Sequence, residues 1–231
     1  EFIPGVDPTD NHETIQWQWN GVRAHLQAGR VRGLLTACAS GQYAARFEVP
    51  RLDADCLNAA VASASSAVVT HEGGLLVHAA AVDMDGKAVL FIGPSGAGKT
   101  TACSHMKGCT WLALDRVALV YVRDQWLAWR LPWGNKDGLQ LRCSKATFLP
   151  LAGILRVRQS DTLDIQTCSR WQAATILRES LRIGTANVRE EEKMLECAER
   201  LNQRCPLGII QVPLGVNLTY AVQAWLDKVR A

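Results

Sequence analysis

The segment of residues 88–101, AVLFIGPSGAGKTT, constrains the fold of this chain more than any other feature. Residues 88–92 form an apolar run typical of a buried strand, and the residues after Thr100 favour a helix. Between them, Gly93 to Thr100 complete the pattern G-x-x-x-x-G-K-[ST], which arises by accident in about one chain in a hundred of this length. The sequence therefore predicts a strand, a phosphate-binding loop and a helix in succession.

The positions of this motif have separate roles in holding a nucleoside triphosphate. Glycines let successive backbone N–H groups turn toward one anion, Lys99 reaches the terminal phosphates, and the Thr100 hydroxyl binds Mg²⁺. We expect Lys99 to be an exposed loop residue. ATP and Mg²⁺ are the predicted cofactors, and the alternative is a glycine-rich loop with a stray lysine. The predicted nucleotide-binding residues are Gly93, Pro94, Ser95, Gly96, Ala97, Gly98, Lys99, Thr100 and Thr101.

The overall charge narrows the classes of partner. The formal net charge is +3 over 231 residues, and the chain has no run of Lys and Arg, so a nucleic-acid or anionic-membrane surface has no compositional support. Nothing in the sequence resembles a transmembrane span or a signal peptide. We expect a cytoplasmic protein that binds neither nucleic acid nor membrane.

The cysteine spacing indicates neither a zinc site nor a disulfide framework. No C-x-x-C pair occurs, and Cys103 and Cys109, the closest pair, have no second pair to complete a tetrahedral site. Free and mostly buried thiols in a reducing compartment are therefore expected. The eight cysteines are Cys38, Cys56, Cys103, Cys109, Cys143, Cys168, Cys197 and Cys205.

Secondary-structure patterns divide the chain into an N-terminal strand region and an α/β region. Residues 15–50 contain short alternating runs that predict strands, whereas the alanine-rich residues 53–69 predict a helix. We expect the strands of residues 1–50 to pack on or extend the core that residues 51–231 form.

Two hairpins are predicted around the loop, which does not suit a plain doubly wound NTPase with βα crossovers. Residues 75–82 and 88–92 form the first, with a turn at residues 83–86, and it delivers the chain to the loop. The elements predicted after the loop are a short helix ending near Gly108, strand 111–114, hairpin 117–131, loop 132–138, strand 154–158, helix 169–181, helix 189–204, strand 208–212 and a last helix that Asn217 caps.

The residues before the loop resemble the catalytic domain of HPr kinase/phosphorylase and its shorter relatives, which share a fold with PEP carboxykinase. The resemblance is carried by LVHAAAVD at residues 76–83, by Gly86 and by the loop. In the bacterial enzymes a histidine precedes the loop lysine at the same distance as His78 precedes Lys99. The resemblance covers roughly residues 50–230 and implies an α/β fold, a P-loop PEP carboxykinase-like mixed sheet flanked by helices, with an HPr-kinase-like catalytic domain at residues 51–231.

One position departs from the family. There an Asp-Asp doublet ends the strand after the loop helix, one acid acting on the acceptor hydroxyl and the other on the metal. This chain has Asp115 between Leu114 and Arg116. Either neighbour takes the place of the missing acid, although the valine-rich continuation favours Leu114. Because Asp115 ends the buried strand, where a Walker B acid belongs, we predict that it binds Mg²⁺ together with Thr100. The alternative is an ion pair of Asp115 with a neighbour such as Arg116.

The resemblance also makes His78 a candidate catalytic residue beside Lys99 and Asp115. An imidazole at this position would take the proton from the acceptor hydroxyl or stabilise the transferring phosphoryl group. The alternative is a core histidine whose hydrogen bonds are satisfied within the protein. Asp83 opens a turn and is equally well explained as structural. Asn135 and Asp137 lie in a loop that occupies the place of the family's second signature, and they are candidates for a second metal or acceptor contact.

These features predict an ATP-dependent kinase that transfers the γ-phosphate to a hydroxyl, a serine by resemblance, of a peptide or protein substrate. Small relatives include enzymes that modify ribosomally made peptides such as lasso peptides. The alternatives are a kinase of a small metabolite and a nucleotide-binding regulator without transferase activity. HPr kinases assemble as hexamers, so a homo-oligomer stays open for this chain.

Overall fold

The computed structural model describes the backbone of residues 16–18, 23–28, 31–37, 43–48, 54–131, 143–181 and 188–230. The chain divides into two compact units. The first contains Glu1–His71 and Ile183–Glu192, and the second contains Glu72–Arg182 and Lys193–Ala231.

The first unit contains an antiparallel sheet and a helix. The strands pair in chain order, from β1 to β4. The strands predicted within residues 15–50 and the helix predicted at residues 53–69 are confirmed. That the strands extend the core of the rest of the chain stays a prediction. The elements are β1 (Gln16–Gln18), β2 (Arg23–Ala28), β3 (Val31–Ala37), β4 (Tyr43–Glu48) and α1 (Ala54–His71).

The second unit is built on a mixed sheet of eight strands within the described residues, in the order β11-β12-β10-β6-β5-β8-β9, with β7 paired to β5. Strand β10 is parallel to β6 and β12, whereas the other pairs are antiparallel. The strands are β5 (Leu75–Met84), β6 (Lys87–Ile92), β7 (Thr110–Ala113), β8 (Arg116–Val122), β9 (Gln125–Arg130), β10 (Phe148–Gln159), β11 (Asp164–Thr167) and β12 (Leu207–Val212).

Helices cover both faces of this sheet, because alternate residues of its strands point to opposite sides. Leu90 of β6 packs in a cluster with side chains of α3 and α4, and Phe91 packs in a second cluster with side chains of α2 and α5. The expected mixed sheet flanked by helices is therefore present. The helices are α2 (Lys99–Ser104), α3 (Arg170–Ser180), α4 (Val188–Arg204) and α5 (Thr219–Arg230). None of the helices in the described ranges has the length and apolar character that crossing a bilayer requires.

Strand β10 is longer than the strand predicted at residues 154–158, and β11 was not predicted. Pro150 and Gly153 are local signals against a strand, yet β10 begins at Phe148 and shifts register between Leu151 and Gly153 as it changes partner from β9 to β6. Strand β11 is an edge strand without a buried residue, so it has no apolar alternation to predict it.

Gly153 is expected to be needed for packing between β10 and α5. A Cβ atom at this position would lie 2.9 Å from Trp225 Cζ3 and 3.0 Å from Leu226 Cδ2. Gly153→Ala should therefore destabilise the protein by about 1–3 kcal/mol through overpacking, measured as a lower melting temperature. In a double-mutant cycle with Trp225→Phe the loss should be smaller. An unchanged melting temperature would contradict this packing.

Candidate functional site

Residues 93–100 leave β6 and include the first two residues of α2, and we call this segment the 93–100 loop. Its three glycines have positive φ angles, of 146° at Gly93, 80° at Gly96 and 91° at Gly98. Side chains rarely adopt these angles, so glycine is required for the path of the backbone. Helix α2 begins directly after Gly98. The predicted succession of strand, loop and helix is confirmed.

Lys99 closes the loop on itself. Its ammonium donates hydrogen bonds to the carbonyl oxygens of Gly93 at 2.8 Å and Pro94 at 3.0 Å. The expectation of an exposed lysine is wrong, because Lys99 is only 8% exposed. The carbonyls at the start of the loop hold the side chain inward. Thr100 follows in α2 and is half-buried, and Thr101 is exposed.

The end of β10 lines the loop on one side. A Cβ atom at Gly93 would lie 3.6 Å from the carbonyl oxygen of Val157, and one at Gly98 would lie 3.8 Å from Gln159 Nε2. The Gln159 amide also donates to the carbonyl oxygen of Gly96 at 3.3 Å. The sequence did not indicate Gln159, because its approach to the loop depends on the parallel pairing of β10 with β6, and no local sequence signal shows that pairing.

His78 and Asp115 lie side by side. His78 Nδ1 is 3.4 Å from Asp115 Oδ1, and the two side chains are 19% and 24% exposed. The backbone fixes this arrangement, because the N–H of Ala79 donates to the carbonyl oxygen of Asp115 at 3.1 Å. Ala79 is also the register partner of Ile92, the last residue before the loop. His78 and Asp115 therefore lie beside the end of β6, where the chain enters the 93–100 loop.

Arg116 contacts the second oxygen of the Asp115 carboxylate. Arg116 Nε lies 3.5 Å from Asp115 Oδ2, and the Arg116 side chain is 17% exposed. Arg116 is also the cross-strand partner of His78 between β5 and β8. The ion pair expected as the alternative for Asp115 is thus present, so its carboxylate bridges a histidine and an arginine. Whether Asp115 binds metal and His78 transfers a proton stays a prediction.

Asp83 has a structural role. Its carboxylate accepts hydrogen bonds from the N–H of Gly86 at 2.9 Å and from the hydroxyl of Ser144 at 2.7 Å. These bonds hold the β5–β6 turn, where Asp85 and Gly86 have positive φ angles. Asn135 and Asp137, the candidates for a second metal or acceptor contact, lie outside the described residues.

Six cysteines are free thiols: Cys103, Cys109, Cys143, Cys168, Cys197 and Cys205. Cys103, Cys197 and Cys205 are buried, and burial raises the pKa of the Cys205 thiol to about 12. Such thiols act as small apolar side chains rather than as nucleophiles. No cluster of His, Cys, Asp and Glu that could hold a metal ion occurs among the described residues.

Residues 52–210 match the family described as SynChlorMet cassette protein ScmC, and this range contains His78, Lys99 and Asp115. No curated protein matches the chain. A solved structure, the Hpr(Ser) kinase/phosphatase from Coxiella burnetii, is similar at 12% identity and a TM-score of 0.40, over 67% of this chain and 90% of that chain. This structural likeness is too weak to support a conclusion. The family match spans more than half of the 231 residues, and the chain therefore belongs to the SynChlorMet cassette protein ScmC family.

Proposed function

We propose that this protein is a cytoplasmic, ATP-dependent kinase that transfers the γ-phosphate to a hydroxyl group of a peptide or protein. The observation that carries the proposal is the position of the His78–Asp115 pair beside the end of β6, where the 93–100 loop begins. Phosphoryl transfer needs a phosphate cradle, a positive charge beside it, and a group that positions the acceptor. Candidates for these three parts, the loop, Lys99 and His78, lie at or beside the end of β6.

The chemistry of the 93–100 loop fits a polyphosphate. Its three glycines lack side chains that would block an approaching anion, and Lys99 supplies a cation that donates to two carbonyl oxygens of the loop. A phosphate oxygen is a stronger acceptor for an ammonium than a neutral carbonyl. We therefore propose that Lys99 exchanges its loop carbonyls for the phosphates of ATP.

The oxygen atoms of Thr100 and Asp115 are of the type that Mg²⁺ prefers. When bound, the ion would neutralise part of the phosphate charge. Asp115 already lies beside Arg116 and His78, so the carboxylate has to share its negative charge between these neighbours and the ion. This sharing predicts a site that binds Mg²⁺ with the nucleotide rather than alone.

His78 is proposed to act on the acceptor hydroxyl. In the reaction the hydroxyl oxygen forms a bond to the γ-phosphorus, the bond from that phosphorus to the bridging oxygen of ADP breaks, and the hydroxyl proton passes to the base. Asp115, held 3.4 Å from His78 Nδ1, orients the ring.

The resemblance to HPr-kinase-related enzymes supports a serine as acceptor. The family description as a cassette protein makes peptides encoded beside this chain the first substrates to test.

A nucleotide-binding regulator without transferase activity is the second candidate. The ion pair between Arg116 and Asp115 favours it, because an arginine on the carboxylate weakens its attraction for a metal ion. A regulator would bind Mg-ATP and leave the γ-phosphate in place. Transfer of ³²P from labelled ATP to serine-containing peptides, compared with ATP binding in the same samples, distinguishes the two functions.

The loop assignment is tested by replacing Lys99. Lys99→Ala and Lys99→Met should each weaken Mg-ATP binding at least tenfold, or by about 1.4 kcal/mol, in calorimetry. The methionine variant retains the buried stem and removes the charge, which separates lost packing from lost attraction. Lys107→Ala is the matched control, because Lys107 is an exposed lysine beyond α2. Equal affinity in the wild type and both Lys99 variants would refute the loop as nucleotide site.

A further inference from the structure

The contact between Gln159 and the 93–100 loop joins two segments that are far apart in the chain. Gln159 Nε2 donates to the carbonyl oxygen of Gly96 at 3.3 Å. Gly96 has a φ of 80°, and a Cβ atom added to it would meet nothing within 4 Å. There is thus open space on the Cβ side of Gly96, and the hydrogen bond from Gln159 is a contact that holds its carbonyl.

This bond fixes the direction of one peptide group. In a trans peptide the carbonyl and the following N–H point in opposite directions, so a carbonyl of Gly96 that faces Gln159 directs the N–H of Ala97 to the other side. There it donates to the carbonyl oxygen of Pro94 at 3.2 Å. The same oxygen accepts a hydrogen bond from the Lys99 ammonium. The N–H of Ala97 is thus directed toward the acceptor that Lys99 also uses.

The backbone around Gln159 is hydrogen-bonded to β12. It is the last residue of β10 and the register partner of Val212 in β12. The next residue, Ser160, donates its N–H to the carbonyl oxygen of Val212 at 3.2 Å and its hydroxyl to Gln211 at 3.1 Å. The backbone that carries the Gln159 amide is therefore anchored to the neighbouring strand.

We infer that Gln159 is a positioning residue of the phosphate site. By holding the Gly96 carbonyl it keeps the Ala97 N–H on the Pro94 carbonyl oxygen that Lys99 also contacts, and it thereby fixes the course of the loop that receives the phosphates. The inference rests on the proposed function only in that the ligand is ATP. Because Gln159 acts through the backbone of the loop, it contributes to nucleotide affinity without contacting the transferred phosphoryl group.

Two replacements isolate the amide. Gln159→Met preserves the length of the side chain and removes its donor, and Gln159→Ala removes the whole side chain. Each should raise the Kd for Mg-ATP about three- to tenfold, the range expected for the loss of one hydrogen bond. Gln159→Glu should raise it further, because a carboxylate faces the Gly96 carbonyl and adds negative charge beside the phosphates. For phosphate transfer, KM should rise while kcat changes less than twofold.

A readout without nucleotide tests the positioning role directly. Amide hydrogen exchange of residues 93–98 should be faster in Gln159→Met than in the wild type, whereas exchange in β10 and β12 and the melting temperature should not change. Gln166→Ala is the matched control, since Gln166 is also an exposed residue, and its amide donates to the Asp164 carboxylate away from the loop. It should leave both loop exchange and ATP affinity unchanged.

The outcomes separate this inference from the proposed function. If wild-type protein binds Mg-ATP and the Gln159 variants match it in affinity and in loop exchange, the positioning role is refuted. If loop exchange is faster in Gln159→Met but no form of the protein binds Mg-ATP, the positioning of the loop by Gln159 is supported and the proposed function fails. A lower melting temperature with faster exchange throughout β10 would show a purely structural residue and would also overturn the inference.

Discussion

Asp115→Asn is expected to lower metal-dependent phosphate transfer by about 10² or more. The asparagine preserves the shape of the side chain but deletes the negative charge that is proposed to hold Mg²⁺. It also removes the charge that lies 3.4 Å from His78 Nδ1 and 3.5 Å from Arg116 Nε. Binding of ATP in the presence of EDTA should change little. The measurement is initial-rate transfer to a serine-containing peptide over a range of Mg²⁺ concentrations.

Two further variants give this result its meaning. Arg116→Ala breaks the ion pair and leaves the carboxylate. If Asp115 serves only that ion pair, Asp115→Asn and Arg116→Ala should be equally inactive. Asp83→Asn is the matched control, because Asp83 holds the β5–β6 turn and Ser144. It should lower stability without lowering transfer by the folded protein. Near-normal transfer by Asp115→Asn would mean that another carboxylate binds the metal.

The elements around the loop could be predicted because their signals are local. Continuous apolar runs define β5 and β6, and the two left-handed turn residues Asp85 and Gly86 follow the two-residue hairpin rule. The glycine pattern then fixes the 93–100 loop. Ser169, which accepts a hydrogen bond from the Gln172 N–H in a capping box, marks the start of α3 as its sequence predicts.

The rest depends on contacts that no short stretch of sequence encodes. Strand β10 holds Pro150 and Gly153 because β9 and β6 both pair with it, and neither pairing is visible from residues 148–159. The burial of Lys99 follows from carbonyl oxygens within its own loop. A lysine is otherwise expected at the surface.

For the site, the sequence identified His78 and Asp115 separately but not their contact. The pairing of β5 with β8 joins His78 to Arg116 and thereby brings Asp115 beside the imidazole. Residues 37 positions apart in the chain meet only once the sheet has formed. The same holds for Gln159, which reaches the loop only because β10 is parallel to β6.

His78→Ala is expected to slow phosphate transfer to a serine-containing peptide by about 10² to 10⁴, the usual contribution of general acid–base catalysis. Asp115 is proposed to bind Mg²⁺, so the proton of the acceptor falls to His78. The affinity for Mg-ATP should stay within a few fold of the wild type, because the loop and Lys99 are intact. Single-turnover transfer and calorimetry on the same preparations measure the two quantities.

Two other histidine variants decide what His78 contributes. His78→Asn retains an N–H that can face Asp115 but cannot accept a proton, so it should be as slow as His78→Ala if proton transfer is the role. If His78 only holds Asp115 in place, the asparagine should restore most of the rate. His105→Ala, at the end of α2, should leave transfer unchanged. A His78→Ala protein that melts earlier and loses ATP binding and transfer in proportion would identify a packing residue. Tight Mg-ATP binding by the wild type, with no transfer to peptides encoded beside it or to HPr-like carriers, would leave the regulator as the function.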